Sequence, residues 1–166
     1  MFILLFPVAA TAADVPNIFD PRKVSSETIA YGVSACVRSG YKALPKIGLT
    51  PWFRYCSCAA DAIRRKISKG VNIKCARYTA SSAKVSPYFN KKMVVSSMEV
   101  AVEVATCVDI AVKVSVPTDF ALAYCGCVSD ARRHNRISGN RGLKKGQEGL
   151  CRAVAILRMR PPAQKI

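Results

Sequence analysis

The chain is poor in the residues that do chemistry near neutral pH. It has one histidine and one tryptophan in 166 residues, and 10 Asp plus Glu against 26 Lys plus Arg. The histidine, His134, stands in Arg132-Arg133-His134-Asn135-Arg136. That setting suits a solvated basic face better than a tuned general base, so Ser–His–Asp or Cys–His chemistry has no convincing centre. There is no Walker loop, no GxGxxG fingerprint and no GxSxG elbow. The cysteines include no Cys-x-x-Cys, which removes the thioredoxin-like redox motif and the covalent haem motif. A zinc site would also want paired ligands or Cys with His. Long apolar runs are missing as well. The Val-rich stretch from Met93 to Val116 is interrupted by Glu99, Glu103, Asp109 and Lys113, and a membrane span needs roughly 20 apolar residues. The expectation is a non-enzyme with no cofactor, no metal, no catalytic residues and no membrane span in its mature chain.

Apolar side chains and positive charge are plentiful. Residues counted as hydrophobic make up 51% of the chain, enough for a core, and the formal net charge is +16. Such an excess repels itself and attracts polyanions or acidic protein surfaces. The N-terminus, from Met1 through Ile3, Leu4, Leu5 and Phe6 to the small residues Ala9 to Ala13, has the apolar core and cleavage region of a signal peptide, without its basic start. Residues 1–13 are therefore read as an export signal, which places the protein in the periplasm or outside the cell.

Eight cysteines fall into the same layout twice. Cys36, then Cys56 and Cys58, then Cys75 are answered by Cys107, Cys125 and Cys127, and Cys151. The two first cysteines lie 71 residues apart and the pairs 69 apart, and the flanks agree too. Ser25-Ser26 through Cys36 aligns without a gap on Ser96-Ser97 through Cys107, and Tyr55-Cys56-Ser57-Cys58 with Asp61 aligns on Tyr124-Cys125-Gly126-Cys127 with Asp130. An arginine pair follows each, Arg64-Arg65 and Arg132-Arg133. This is the signature of an internal duplication: one four-cysteine unit over residues 14–82 and a second over 83–166, joined across the small, polar stretch from Thr79 to Pro87.

Each unit reads as helix, loop, helix and a short third segment, giving an all-α protein of two tandem disulfide-stapled helical hairpins packed together. Ser96 with Glu99 forms a capping box ahead of the second unit's first helix. Thr50-Pro51 and Thr118-Asp119 open the second helices as cap and first turn. Trp52, Cys56, Ala59, Ile63 and Ile67 recur at helical spacing as the apolar stripe. Gly70 and Gly139-Asn140 end those helices, and a final helix is expected from Gly146 to about Met159.

An even cysteine count, repeated spacing and an export signal favour structural disulfides. Residues two apart on a helix point about 200° away from each other, so the members of each Cys-x-Cys must staple different neighbours. Cys36 with Cys56 along the apolar stripes leaves Cys58, on the more polar side, for Cys75. The repeat then pairs Cys107 with Cys125 and Cys127 with Cys151. The crossed pairing, Cys36–Cys58 with Cys56–Cys75, satisfies the same spacing.

Among the remaining residues, Asp61 and Asp130 are expected in salt bridges to Arg65 and Arg133, and Tyr55 and Tyr124 packed on the disulfides. Trp52 and Phe53 have no full aromatic match in the second unit, where Asp119 and Phe120 stand, so an aromatic ligand surface would belong to one unit only. The candidate anion-binding residues are Arg64, Arg65, Lys66 and Lys69 in the first unit. In the second they are Arg132, Arg133, Arg136, Arg141, Lys144 and Lys145. Arginine's planar fork suits carboxylate and phosphate. The expected function is a non-enzymatic binding protein of the cell envelope that engages an acidic protein or anionic envelope component. Nucleic acid is less favoured because no aromatic-interleaved motif accompanies the charge. A periplasmic inhibitor or immunity-type protein, and a structural subunit of an envelope assembly, are the alternatives.

Overall fold

A computed structural model describes residues 16–20, 22–139 and 142–159. The signal-peptide segment, Asn140 and Arg141 lie outside the described residues. Among the described residues there are six α-helices and no strand: α1 (Ser26–Ala43), α2 (Leu49–Arg64), α3 (Val71–Thr79), α4 (Ser97–Lys113), α5 (Thr118–Ile137) and α6 (Gln147–Met159). Single 3-10 turns occur at Pro45–Ile47 and Lys91–Met93.

The helix starts follow from local chemistry. Ser25 accepts the Thr28 amide at the head of α1. Ser96 and Glu99 form the capping box of α4, Ser96 Oγ accepting from the Glu99 amide and Glu99 accepting the Ser96 amide at 2.9 Å. The Val-rich stretch is thus helical, its start satisfied by its own side chains. The second helices begin otherwise than expected. Gly48, at φ +84°, is the residue before α2, and Pro117 precedes α5, with no side-chain cap at either. Thr50 and Thr118 lie inside the helices, where their hydroxyls cap nothing. Gly70 does not end α2, which stops at Arg64; it adopts a left-handed conformation at the start of α3.

Four disulfides staple the helices: Cys36–Cys56, Cys58–Cys75, Cys107–Cys125 and Cys127–Cys151. They tie α1 to α2, α2 to α3, α4 to α5 and α5 to α6. The helices so linked pack on one another, and α1 additionally packs on α4 and α5, while α2 packs on α4. The central core joins Ile29, Ala30 and Val33 of α1 to Val100, Ala101 and Val104 of α4, with Cys56 and Cys125 beside them. These six are equivalent positions in the alignment of the two halves, so the core is built from two matching stripes. Two smaller clusters surround Cys58–Cys75 and Cys127–Cys151.

Among the described residues no fully buried apolar side chain is larger than valine. Burying a valine stabilises by about 1.5 kcal/mol or a little more. A core made mostly of valine, alanine and cystine, with Ile29, Tyr78 and Tyr88 as its larger members, is thin for the chain's length, so disulfides worth roughly 2–4 kcal/mol each carry a large share of the stability.

The buried face of α2 is not the stripe read from its sequence. Ile63 is exposed, whereas Cys56, Ser57, Cys58, Asp61 and Ala62 are buried. Cys58 is wholly covered rather than on a polar side, because α3 closes over it. In α5 the buried run extends from Cys125 to Ala131 without a break. These two helices are enclosed from more than one direction.

Candidate functional site

The aspartates that follow each cysteine pair occupy the joints between the two halves. On α2, Asp61 and Arg64 are three residues apart and share a face. Asp61 Oδ1 accepts the backbone amide of Ser97, the first residue of α4, at 2.7 Å, and Arg64 Nη1 at 3.3 Å. Arg64 Nη1 also donates to the Val95 carbonyl at 2.9 Å and to Ser97 Oγ at 3.2 Å. On α5 the same set recurs. Asp130 Oδ1 accepts the Ser26 amide at 2.8 Å, Ser26 Oγ at 2.7 Å and Arg133 Nη1 at 3.1 Å. Arg133 Nη1 reaches the Val24 carbonyl at 3.3 Å and Ser26 Oγ at 2.8 Å. Each carboxylate therefore satisfies an amide in the first turn of a helix belonging to the other half, where the helix dipole favours negative charge.

Both joints are dry. Asp61, Asp130, Ser26, Ser97 and Arg133 are all buried, and the Arg64 side chain is 8% exposed. Burial lowers the Arg64 guanidinium to about 10, helped by the like charge of Arg133 and opposed by Asp61. Arg133 is lowered for the same reason, and burial raises the Asp130 carboxyl against the pull of Ser26 and Arg133.

This geometry corrects the arginine matching. The equivalents are Arg64 and Arg133, each three residues past its aspartate, and not the adjacent pairs Arg64-Arg65 and Arg132-Arg133. Asp61 bonds Arg64 rather than Arg65. Arg64 and Arg133 are internal cations and present no face to a partner. Arg132 is also engaged, with Glu103 at 2.8 Å. Arg65 is exposed, and its Nη1 donates to the Tyr88 carbonyl at 3.4 Å. Of the remaining candidates, Lys66 and Lys69 lie exposed on the α2–α3 connection, and Arg136, Lys144 and Lys145 are exposed near the α5–α6 connection. The structure thus keeps a cationic connection in each half and withdraws the arginines nearest the aspartates.

The residue between the paired cysteines went unremarked in the sequence, yet it is a contact point. Gly126 lies against the first turn of α1: a Cβ there would sit 2.6 Å from Glu27 Cβ and 3.1 Å from the Glu27 backbone. Its equivalent, Ser57, is buried. Smallness at both positions was the available signal. Tyr55 packs against the first two apolar clusters and donates to Asn72 Oδ1 at 3.1 Å. Tyr124 packs against the Cys127–Cys151 cluster and donates to Glu148.

His134 is exposed and sits 6.2 Å from the Phe19 ring. It lines a recess with Asp20, Lys23, Asp130 and Arg133 whose enclosed space is about 10 Å³, room for about one water molecule. Asp130 there is already bound to Ser26 and Arg133. With all eight cysteines in disulfides, no thiolate is left to ligate a metal or attack a substrate.

The molecule is, by its fold, an all-helical protein held by four disulfides, with no helix among the described residues long and apolar enough to cross a membrane. Comparison with protein-family models, with curated proteins and with solved structures finds no match. Four disulfides fit an oxidising compartment.

Proposed function

We propose that this is an exported, non-enzymatic binding protein of the cell envelope, periplasmic or secreted, whose basic surface engages an acidic partner. The chain is read as two tandem four-cysteine helical hairpins, residues 14–82 and 83–166, after removal of residues 1–13. The observation that carries the functional reading is where the carboxylates are spent. Asp61 and Asp130 are buried in the joints, and Asp20, Glu27, Glu103 and Asp109 are ion-paired with Lys23, Arg158, Arg132 and Lys113. Glu99 is held in a capping box. Among the described residues most of the acid is neutralised within the fold, while Lys66, Lys69, Lys74, Arg136, Lys144, Lys145 and Arg152 stand exposed and enter no ion pair. Such a surface projects a positive field that a carboxylate- or phosphate-bearing partner would neutralise.

The test is capture from an envelope extract by the immobilised protein with stepwise salt. The reading expects the partner to elute between about 0.15 and 0.5 M salt, as exposed ion pairs are screened, and to carry excess negative charge. Reversal of Lys66, Lys69, Lys144 and Lys145 to Glu should abolish capture. Binding that is indifferent to both salt and charge reversal would refute it and favour a shape-specific inhibitor.

A further inference from the structure

The connection between α1 and α2 combines three properties that rarely coincide. It is apolar and uncovered: Tyr41, Leu44, Ile47 and Leu49 are 42%, 44%, 47% and 58% exposed within nine residues. It is purely cationic: Arg38, Lys42 and Lys46 are exposed there, and no Asp or Glu occurs between Glu27 and Asp61. It is also held in shape. Leu44 and Gly48 amides bond back to Gly40 and Pro45 at 2.9 and 3.1 Å, and the Trp52 indole donates to the Leu44 carbonyl at 3.4 Å. Gly40 fits against the Trp52 ring so closely that a Cβ would lie 2.4 Å from it. The Cys36–Cys56 disulfide closes the base. A loop fixed in this way cannot fold its apolar side chains inward to escape water.

The corresponding tip of the second half supplies the comparison. Ile110 and Val112, in the last turn of α4, and Val114, just past it, are exposed, but Asp109 pairs with Lys113 and Asp119 follows. That tip is apolar without being cationic. The positive character belongs to the first tip alone.

We propose that the α1–α2 tip docks on an anionic phospholipid surface, the apolar side chains entering the headgroup–acyl boundary while Arg38, Lys42 and Lys46 meet lipid phosphates. Apolar insertion plus basic residues is the combination that holds a peripheral protein on an anionic leaflet, and Tyr and Trp favour that interface. The inference rests on the reading of the protein as a binder of acidic partners and names one such partner.

Trp52 is the sole tryptophan and touches the tip, so its emission reports docking directly. The full chain is mixed with vesicles of equal parts phosphatidylglycerol and phosphatidylcholine, or of phosphatidylcholine alone, and followed by co-sedimentation and Trp52 fluorescence. Expected are binding and a blue shift with the anionic vesicles only. Ile47→Asp and, independently, the pair Lys42→Glu with Lys46→Glu should each weaken binding by about tenfold or more, the equivalent of one lost anchoring contact. Val114→Asp, at the other tip, should leave it unchanged. All these sites are exposed, and unaltered melting would show the variants folded. Anionic-vesicle binding that Ile47→Asp leaves intact would overturn the tip while sparing the acidic-partner reading. So would absence of vesicle binding from a protein that still captures an acidic protein. Self-association without lipid, lost in Ile47→Asp, would overturn the lipid assignment in favour of a contact between copies.

Discussion

Replacing Asp130 by alanine tests the joint between the halves most severely. Asp130 is 4% exposed and Arg133 6%, so the substitution strands a guanidinium where water does not reach it. The Ser26 amide and hydroxyl lose their acceptor at the same time. Breaking a buried ion pair from one side costs about 3–5 kcal/mol, against a total stability of about 5–15 kcal/mol for a typical domain. The burial-driven shifts of both partners add a second expectation. Because each charge pays for its desolvation, an apolar replacement of both should be far milder than loss of one. Denaturation by guanidinium with the disulfides intact measures this on a double-mutant cycle of Asp130→Ala, Arg133→Met and the two together. The double variant should recover at least about 2 kcal/mol of the single Asp130→Ala loss, with an unchanged m-value. Asp61→Ala should behave like Asp130→Ala, since its contacts to Ser97 and Arg64 reproduce the same joint. A cost below about 1 kcal/mol, the level of an ordinary helix cap, would refute the view that these aspartates hold the halves together.

Gly126→Ala should destabilise by about 1–3 kcal/mol through its collision with the Glu27 backbone. Gly32→Ala, in α1 with nothing within 4 Å, should stabilise by up to about 1 kcal/mol; equal thermal shifts of the same sign would contradict the packing. Replacing both Cys127 and Cys151 by alanine should cost about 2–4 kcal/mol in the same denaturation assay, and no loss would mean that the staple is redundant. For pH, burial raises the Asp130 carboxyl above its ordinary 3.8. The folded protein keeps that proton where the unfolded chain has lost it, so the stability it contributes is full below pH 3.8 and fades as pH rises through the folded value. The gap in unfolding free energy between the native protein and Asp130→Asn should therefore be widest in acid and narrow toward neutrality; a gap that widens would reverse the sign.

Much of the fold could be read from local pattern because its determinants are local. The capping box at Ser96 and Glu99, the helical third segments and the cysteine pairing all depend on residues within about two dozen positions. The buried face of α2 escaped because Trp52, Cys56, Ala59 and Ile63 satisfy an apolar count, whereas burial there follows the neighbours on both sides. Asp61 and Asp130 are visible as ion-pair candidates through the arginines just after them, although for Asp61 the sequence suggests Arg65 where the partner is Arg64, and their acceptor role is set 36 and 104 residues away. The clue was present in the matched Asp-x-x-Arg and Ser-Ser pairs of both halves. The adjacent arginines of each pair look alike in sequence, and only tertiary structure shows that Arg64 and Arg133 lie inside. The cationic tip between α1 and α2 is not legible in sequence, because each of its residues is ordinary alone; its character comes from the turn that gathers them.

The disulfides have a consequence in time as well as in space. Every bond joins cysteines that are consecutive along the chain: 36 with 56, 58 with 75, 107 with 125 and 127 with 151. On the proposed export route, a chain reaching an oxidant N-terminus first would meet each partner before any competing thiol had emerged. Oxidation in order of arrival thus yields the native set with no bond to reshuffle. On that route the contact between Asp130 and Ser26, 104 residues apart, would form where three of the four disulfides lie N-terminal to Asp130, so cross-linked segments rather than loose chain would meet.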